Sequence, residues 1–271
     1  GYDALGANTT GAEMVAVGKD ALAANTTGQN NIAVGMDALT ANTTGVHNLA
    51  IGHEALLTNV DGDNSIAIGN YALYTQEPSS NTDMHNTAVG YNSMYALQTG
   101  THNTAVGSYA ADALTSGASN VAVGNYALTV ASTGSENVAL GYNTLAAVTT
   151  GHYNIGIGYG AGVAIDTGTK NIVIGRGTGD NITSGVGNVA IGQEALDAQT
   201  TGSYSVAIGW TALGANTSGG SNTAVGFRAM LYNTTGSYST ALGYEALGGS
   251  PCGDGNTAAG YQALTNVEGG G

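Results

Sequence analysis

Cationic side chains are nearly missing from this chain. Lys19, Lys170, Arg176 and Arg228 are the only ones in 271 residues, against eighteen carboxylates and a formal charge of −14. With no basic cluster, nucleic acid and anionic membrane surfaces are poor partners, and no nucleic-acid binding is expected. Proline occurs twice and cysteine once, so Cys252 has no internal disulfide partner and the redox compartment is left undecided. Aromatic residues make up 6% and charged residues 8%, too little for a thick core and too little for a charge-expanded disordered chain. No apolar run approaches the roughly 20 residues of a spanning helix, so no membrane insertion by this segment is expected.

Glycine is abundant, with 45 residues, and it is periodic. Gly18, Gly35, Gly52 and Gly69 are 17 residues apart. After one step of 21 the series resumes at Gly90 and runs through Gly107, Gly124, Gly141, Gly158, Gly175, Gly192, Gly209, Gly226 and Gly243 to Gly260, and it extends back to Gly1. The consensus is N-x-A-V-G-x-x-A-L-x-x-x-T-T-G-x-x. A second glycine falls ten residues after the first, as at Gly28, Gly45 and Gly202. A fixed short period names a solenoid before any local propensity is consulted. The expected fold is all-β: a parallel β-solenoid of about sixteen 17-residue coils spanning 1–271 as a single repeat array. At about 4.8 Å per coil it would extend roughly 75 Å. The chain opens in register with the repeat and closes on Gly269, Gly270 and Gly271, which reads as a slice of a longer fibre protein.

Segments such as Ile32-Ala33-Val34 and Val206-Ala207-Ile208 are too short for helices and rich in β-branched residues, and so read as strands. The aliphatic residue before the glycine is expected to point into the coil. The phase slips at the glycine, and a second short strand carrying Ala21-Leu22 or Ala212-Leu213 returns apolar surface to the core. The Ala two before the glycine (Ala16, Ala33, Ala50, Ala67) then faces outward. So small an apolar face implies packing against another chain, most simply in a parallel homotrimer, since two or three aliphatics per coil make a thin core.

N-T-A-V-G at Asn103 to Gly107 and N-V-A-I-G at Asn188 to Gly192 resemble the repeats of YadA-like trimeric adhesin heads. N-T-A-V-G-Y-x-A-L repeats with T-T-G turns are similar to those of phage tail-fibre proteins. The resemblance covers essentially the whole chain, although these units are longer than typical adhesin-head repeats. It implies a left-handed β-roll, three identical chains, and an extracellular attachment role on a cell surface or virion.

Several columns carry candidate chemistry. The asparagine four before the glycine (Asn31, Asn48, Asn103) is expected to form a ladder of stacked amides. Asn8, Asn25, Asn42, Asn181, Asn216 and Asn233 begin N-x-S/T sequons that coincide with the turn consensus. Two past the glycine, Asp3, Asp20, Asp37 and Glu54 form a stripe that reads as a solvated face or as a weak calcium site. One past it, Trp210, Phe227, Tyr244 and Tyr261, with Tyr142 and Tyr159 earlier, form an aromatic stripe suited to a cell-surface glycan or receptor, or to interchain packing. His47, His85 and His102 share a turn column. The 21-residue step places a four-residue insertion within 75–85, with Gln76, Glu77, Pro78 and Asp83 as a candidate recognition loop. Paired threonines, such as Thr26-Thr27 and Thr200-Thr201, raise ice binding as an alternative. No position departs from the repeat to assemble a nucleophile, base and orienting group, so no enzyme activity is expected.

Overall fold

A computed structural model describes residues 1–78, 80–249 and 251–265. The glycines at 269–271 lie outside them. Among the described residues there is no helix, and the chain forms a parallel β-solenoid of about 14 turns of ~17 residues. Two units are distinguished, Gly1–Glu136 and Asn137–Gly271.

The first unit contains β1 (Val15–Val17), β2 (Ile32–Val34), β3 (Leu49–Ile51), β4 (Gly62–Asp63), β5 (Ile66–Ile68), β6 (Thr82–Asp83), β7 (Thr87–Val89), β8 (Thr104–Val106) and β9 (Val121–Val123). Its main sheet runs in the order β1-β2-β3-β5-β7-β8-β9, and β4 pairs with β6. The second unit contains β10 (Val138–Leu140), β11 (Ile155–Ile157), β12 (Ile172–Ile174), β13 (Val189–Ile191), β14 (Val206–Ile208), β15 (Thr223–Val225), β16 (Thr240–Leu242) and β17 (Thr257–Ala259), stacked in sequence order. Within each unit, successive main-sheet strands pair in parallel, each residue with its equivalent in the next repeat, as in Val15↔Ile32, Ala16↔Ala33 and Val17↔Val34. The 21-residue step keeps this register, with Ala67 opposite Ala88.

The strands are present as expected, but their faces are reversed. Ala33, Ala50, Ala67 and Ala88 are fully buried, whereas the residues before the glycine stand outward, with Val17 55% and Ile51 38% exposed. The reason is the narrowness of the coil. At Gly156, which replaces this alanine, an added Cβ would lie 2.7 Å from Thr144 Cγ2 and 2.8 Å from Leu145 Cγ. The leucine of the coil reaches across to the strand, so only a small residue fits between them.

The second strand does not form. Ala21 and Leu22 are both fully buried, as expected for core residues, but they lie in a turn rather than a strand. Asp20 (φ 55°) and Leu22 (φ 54°) instead adopt left-handed conformations, and the same pair of positions repeats at Asp37 and Leu39 and at Asn92 and Met94. A left-handed residue normally costs about 1 kcal/mol. Hydrogen bonding between coils offsets it: Leu22 N donates to Ala38 O at 3.1 Å, and Asp37 N donates to Lys19 O at 2.9 Å.

Both glycine columns are required, for different reasons. Gly107 has φ 139°, and a Cβ there would meet the Gly124 carbonyl oxygen at 2.5 Å. Gly28 has no such dihedral, yet a Cβ would fall 2.5 Å from both Gly45 O and Asn25 Oδ1.

Two asparagine ladders fill the polar part of the interior. In the expected one, Asn48 N donates to Asn31 Oδ1 at 2.9 Å, and Asn31 Nδ2 donates to Gly45 O at 2.7 Å. The second ladder is built from the sequon asparagines. Asn25 Nδ2 donates to Asn8 Oδ1 at 3.0 Å, and Asn42 Nδ2 to Asn25 Oδ1 at 2.8 Å. Asn25, Asn42, Asn216 and Asn233 are fully buried, so none offers an amide to a glycosylating enzyme; the sequon residue Asn181 is exposed and lies outside this ladder, whose column there holds Ile182.

Candidate functional site

Positions one, two and five past the first glycine project from one flank of each coil, because the left-handed turn carries the intervening Ala-Leu pair inward. Side chains repeated at these positions stack at the coil spacing. Trp210 and Phe227 have ring centroids 5.0 Å apart, Phe227 and Tyr244 are stacked at 4.9 Å with 4° between planes, and Tyr244 and Tyr261 are stacked at 5.2 Å. Tyr142 and Tyr159 stack at 5.3 Å. The stripe stays open to solvent, with Trp210 40% and Tyr261 73% exposed. The Arg228 guanidinium lies 5.4 Å from the Trp210 ring and 5.3 Å from that of Phe227. Its Nε is buried without a hydrogen-bond partner, while Nη1 lies 3.7 Å from Glu245. A concavity of about 260 Å³ beside this stripe is lined by Arg228, Tyr232, Glu245 and Gln262.

The first unit carries a second aromatic group that the single column one past the glycine does not reveal. Tyr74 and Tyr95, five past it, stack at 4.9 Å, and Tyr109 and Tyr126, two past it, stack at 5.2 Å. Tyr91 bridges Tyr71 and Tyr109 edge-on, at 5.9 and 5.4 Å. Reading the neighbouring flank columns together with the first is the signal that finds them.

The acidic stripe does not behave as one unit. Asp3 is exposed, and Asp20 pairs with Lys19 at 2.9 Å. Asp37 and Glu54 converge with His53 so that one donor atom from each lies within 4.8 Å of the others. This is a mixed nitrogen and oxygen donor set, which suits zinc-like ions better than calcium, an ion that takes oxygen ligands. His53 Nε2 already lies 3.2 Å from Glu54. His85 and His102 face each other at 5.0 Å in their turn column.

A different acidic group lies in the second unit. Asp180, Glu194 and Asp197 surround a 280 Å³ concavity with Tyr159 and Arg176, and the side-chain-free Gly160 and Gly177 give it room. Burial, with the charges of Asp197 and Glu194 adding to it, pushes Asp180 up to about 6. Burial also raises Asp197.

Around the insertion, three of the four expected loop residues serve the coil. Gln76 is fully buried at the second ladder's position; its Nε2 donates to Asn59 Oδ1 at 3.1 Å, and its Oε1 accepts from Asn86 Nδ2 at 3.0 Å. Glu77 accepts the N–H of Val60 at 2.8 Å, and Pro78 is buried against Gly62. Asp83, in β6, is exposed and accepts from Asn64. Of the paired threonines, the first spends its hydroxyl on the next coil, as Thr26 Oγ1 does on Thr43 O at 3.0 Å, which leaves one exposed column rather than two. Neither a family model nor a curated protein sequence matches the chain.

Proposed function

We propose that this chain is one strand of a homotrimeric, left-handed β-roll that serves as an extracellular attachment fibre on a cell surface or virion. The observation that supports it is the outward strand face. In the main-sheet strands the two outward positions are Val, Ile, Leu, Thr or Ala throughout, with no charged side chain among them. A three-residue strand is about 10 Å long, and seven or eight stacked strands give on the order of 300 Å² per unit. A patch of that size matches the largest apolar patch of an ordinary monomer, which often has a function, and its regular columns suit contact with another chain. The Ala column cannot supply this contact, because it faces the core; the contact belongs to the Val and Ile columns on either side of it. A second copy presenting the same columns matches it in chemistry and spacing, and the resemblance of the repeats to trimeric adhesin heads supports a number of three.

Native mass measurement tests this reading. The expected mass is three times the 26.7 kDa of the chain. Val106→Asp combined with Ile208→Asp is expected to release monomers that keep their β signature; a wild-type monomer would overturn the reading.

The exposed stack of Trp210, Phe227, Tyr244 and Tyr261 favours glycan binding as the mode of attachment, since flat aromatic faces match the C–H faces of sugar rings. Repeated weak contacts along a flank gain through avidity. Loss of glycan-array signal in Trp210→Ala and Tyr244→Ala is the expected result; unchanged signal assigns the stack to packing.

A further inference from the structure

Tyr71, Tyr91, Asn92 and Tyr95 line an open cleft of about 260 Å³ in the first unit. Tyr91 and Tyr95 are 43% and 37% exposed, and Tyr95 is braced from one side by the parallel ring of Tyr74. Tyr71 is held edge-on between His53 at 5.3 Å and Tyr91 at 5.9 Å, so the aromatic walls are fixed before any ligand arrives. Asn92 sits at φ 53°, a conformation asparagine tolerates well, and its N–H is tied to Asn70 O at 3.1 Å. Its Oδ1 is closed off from water and accepts no hydrogen bond from the described residues. A buried acceptor left empty is costly, and that cost is recovered when a ligand donor fills it.

We propose that this cleft binds a single neutral pyranose ring. Its volume lies below the roughly 300–1,000 Å³ of pockets for larger ligands, which fits one ring. The tyrosine faces take the sugar's C–H surface, and the phenol hydroxyls serve its rim. A small rotation about χ2 of Asn92, a broad torsion in amides, presents Oδ1 to a sugar hydroxyl. Among the described residues no ionised side chain lines the cleft, so nothing there selects a charged ligand. A phosphate would also meet the chain's charge of −14, and a quaternary ammonium has no hydrogen to give Asn92. The site is formed within one chain and is separate from the Trp210 stripe, so it stands whether or not three chains assemble.

Saturation-transfer NMR on the full chain tests this, with the methyl glycosides of glucose, galactose, mannose and N-acetylglucosamine as probes. At least one is expected to receive transfer at its ring protons. Tyr95→Ala and Asn92→Gly are each expected to weaken it about tenfold or more, a loss in keeping with an emptied acceptor or a removed stacking face. Asn92→Gly keeps the left-handed backbone and carries the test if Tyr95→Ala disturbs folding. Tyr238→Ala, an exposed tyrosine of the other unit, is expected to change nothing. The proposal fails if no glycoside receives transfer, if transfer is undiminished in both cleft variants, or if tetramethylammonium displaces the sugar. Native mass, recorded on the same samples, separates such a failure from a failure of the trimer.

Discussion

Asn103 Oδ1 accepts the backbone N–H of Asn120 at 2.9 Å, while the same side chain donates from Nδ2 to the carbonyl of Gly117 at 2.9 Å. One fully satisfied amide thus closes both a donor and an acceptor of the following coil, inside the buried core. Asn103→Ala strands both groups and is expected to cost about 2–4 kcal/mol. Asn103→Ser should cost less, because natural coils use serine here: Asn256 N donates to Ser239 Oγ at 3.0 Å. Hydrogen exchange at the Asn120 amide measures the difference locally, which suits a repeat array whose global transition need not be two-state.

Glycine substitutions should divide by what surrounds them. Gly107→Ala drives a Cβ to 2.5 Å from the carbonyl oxygen of Gly124, a contact between backbones that no side-chain rotation relieves, at φ 139°. Loss of more than about 4 kcal/mol, or failure to fold, is expected. Gly160→Ala, at φ 65° with nothing within 4 Å of the new Cβ, should cost only the left-handed penalty of about 1 kcal/mol. Urea midpoints of the two variants provide the comparison.

These two cases show what is legible in the sequence. The period of 17, the strand Thr104–Val106 and the special status of Gly107 all follow from pattern, because each depends on a residue type that recurs. The facing of Ala105 is not legible. An alternating triplet such as Thr-Ala-Val fixes only that its outer two residues share a face, and which face is inward depends on the size of the residue opposite. Here that residue is a leucine or methionine brought across by a left-handed turn that, outside the two coils with Gly160, Gly162, Gly177 and Gly179, has no glycine to announce it. The same turn hides the functional flank. Asp20 and Leu22 look like strand residues, so pattern alone does not make neighbours of positions two and five past the glycine, and Tyr71, Tyr95 and Arg228 escape it.

Stability should rise as the solution is acidified from neutral pH. Asp180 is raised to about 6 by burial and by Asp197 and Glu194, with Tyr159 and Arg176 completing its surroundings. Burial likewise raises Asp197, Asp112, Asp63 and Glu77. A carboxyl whose pKa is higher folded than unfolded binds more protons in the native state, so it destabilises above its folded value. That destabilisation is relieved as pH falls from about 6 towards the ordinary carboxylate value of 3.8. The melting temperature is therefore expected to be higher at about pH 5 than at about pH 7.5. Asp180→Asn should raise it at the higher pH and flatten the slope, and an unchanged slope would remove Asp180 as its source.

The core of the second unit contains a volume exchange that a double-mutant cycle can measure. Val173 occupies the inward strand position that is alanine in most coils, and Gly162 and Gly179 occupy the position that is usually leucine. A Cβ on Gly179 would lie 2.9 Å from Val173 Cγ1 and 2.8 Å from Ile182 Cδ1, while one on Gly162 would lie 2.9 Å from Val173 Cγ2. The valine branches fill the space that the two glycines leave. Val173→Ala alone opens a cavity and is expected to cost about 1–2 kcal/mol. Gly179→Ala alone overpacks and should cost about 1–3 kcal/mol; its left-handed backbone is already used by an alanine at the same position, Ala111 at φ 50°. Together the two changes relieve each other, so the double variant should lose less than the sum by about 0.5–3 kcal/mol. Strict additivity would mean that Val173 and Gly179 adapt independently, and the exchange would then be coincidence of sequence rather than packing.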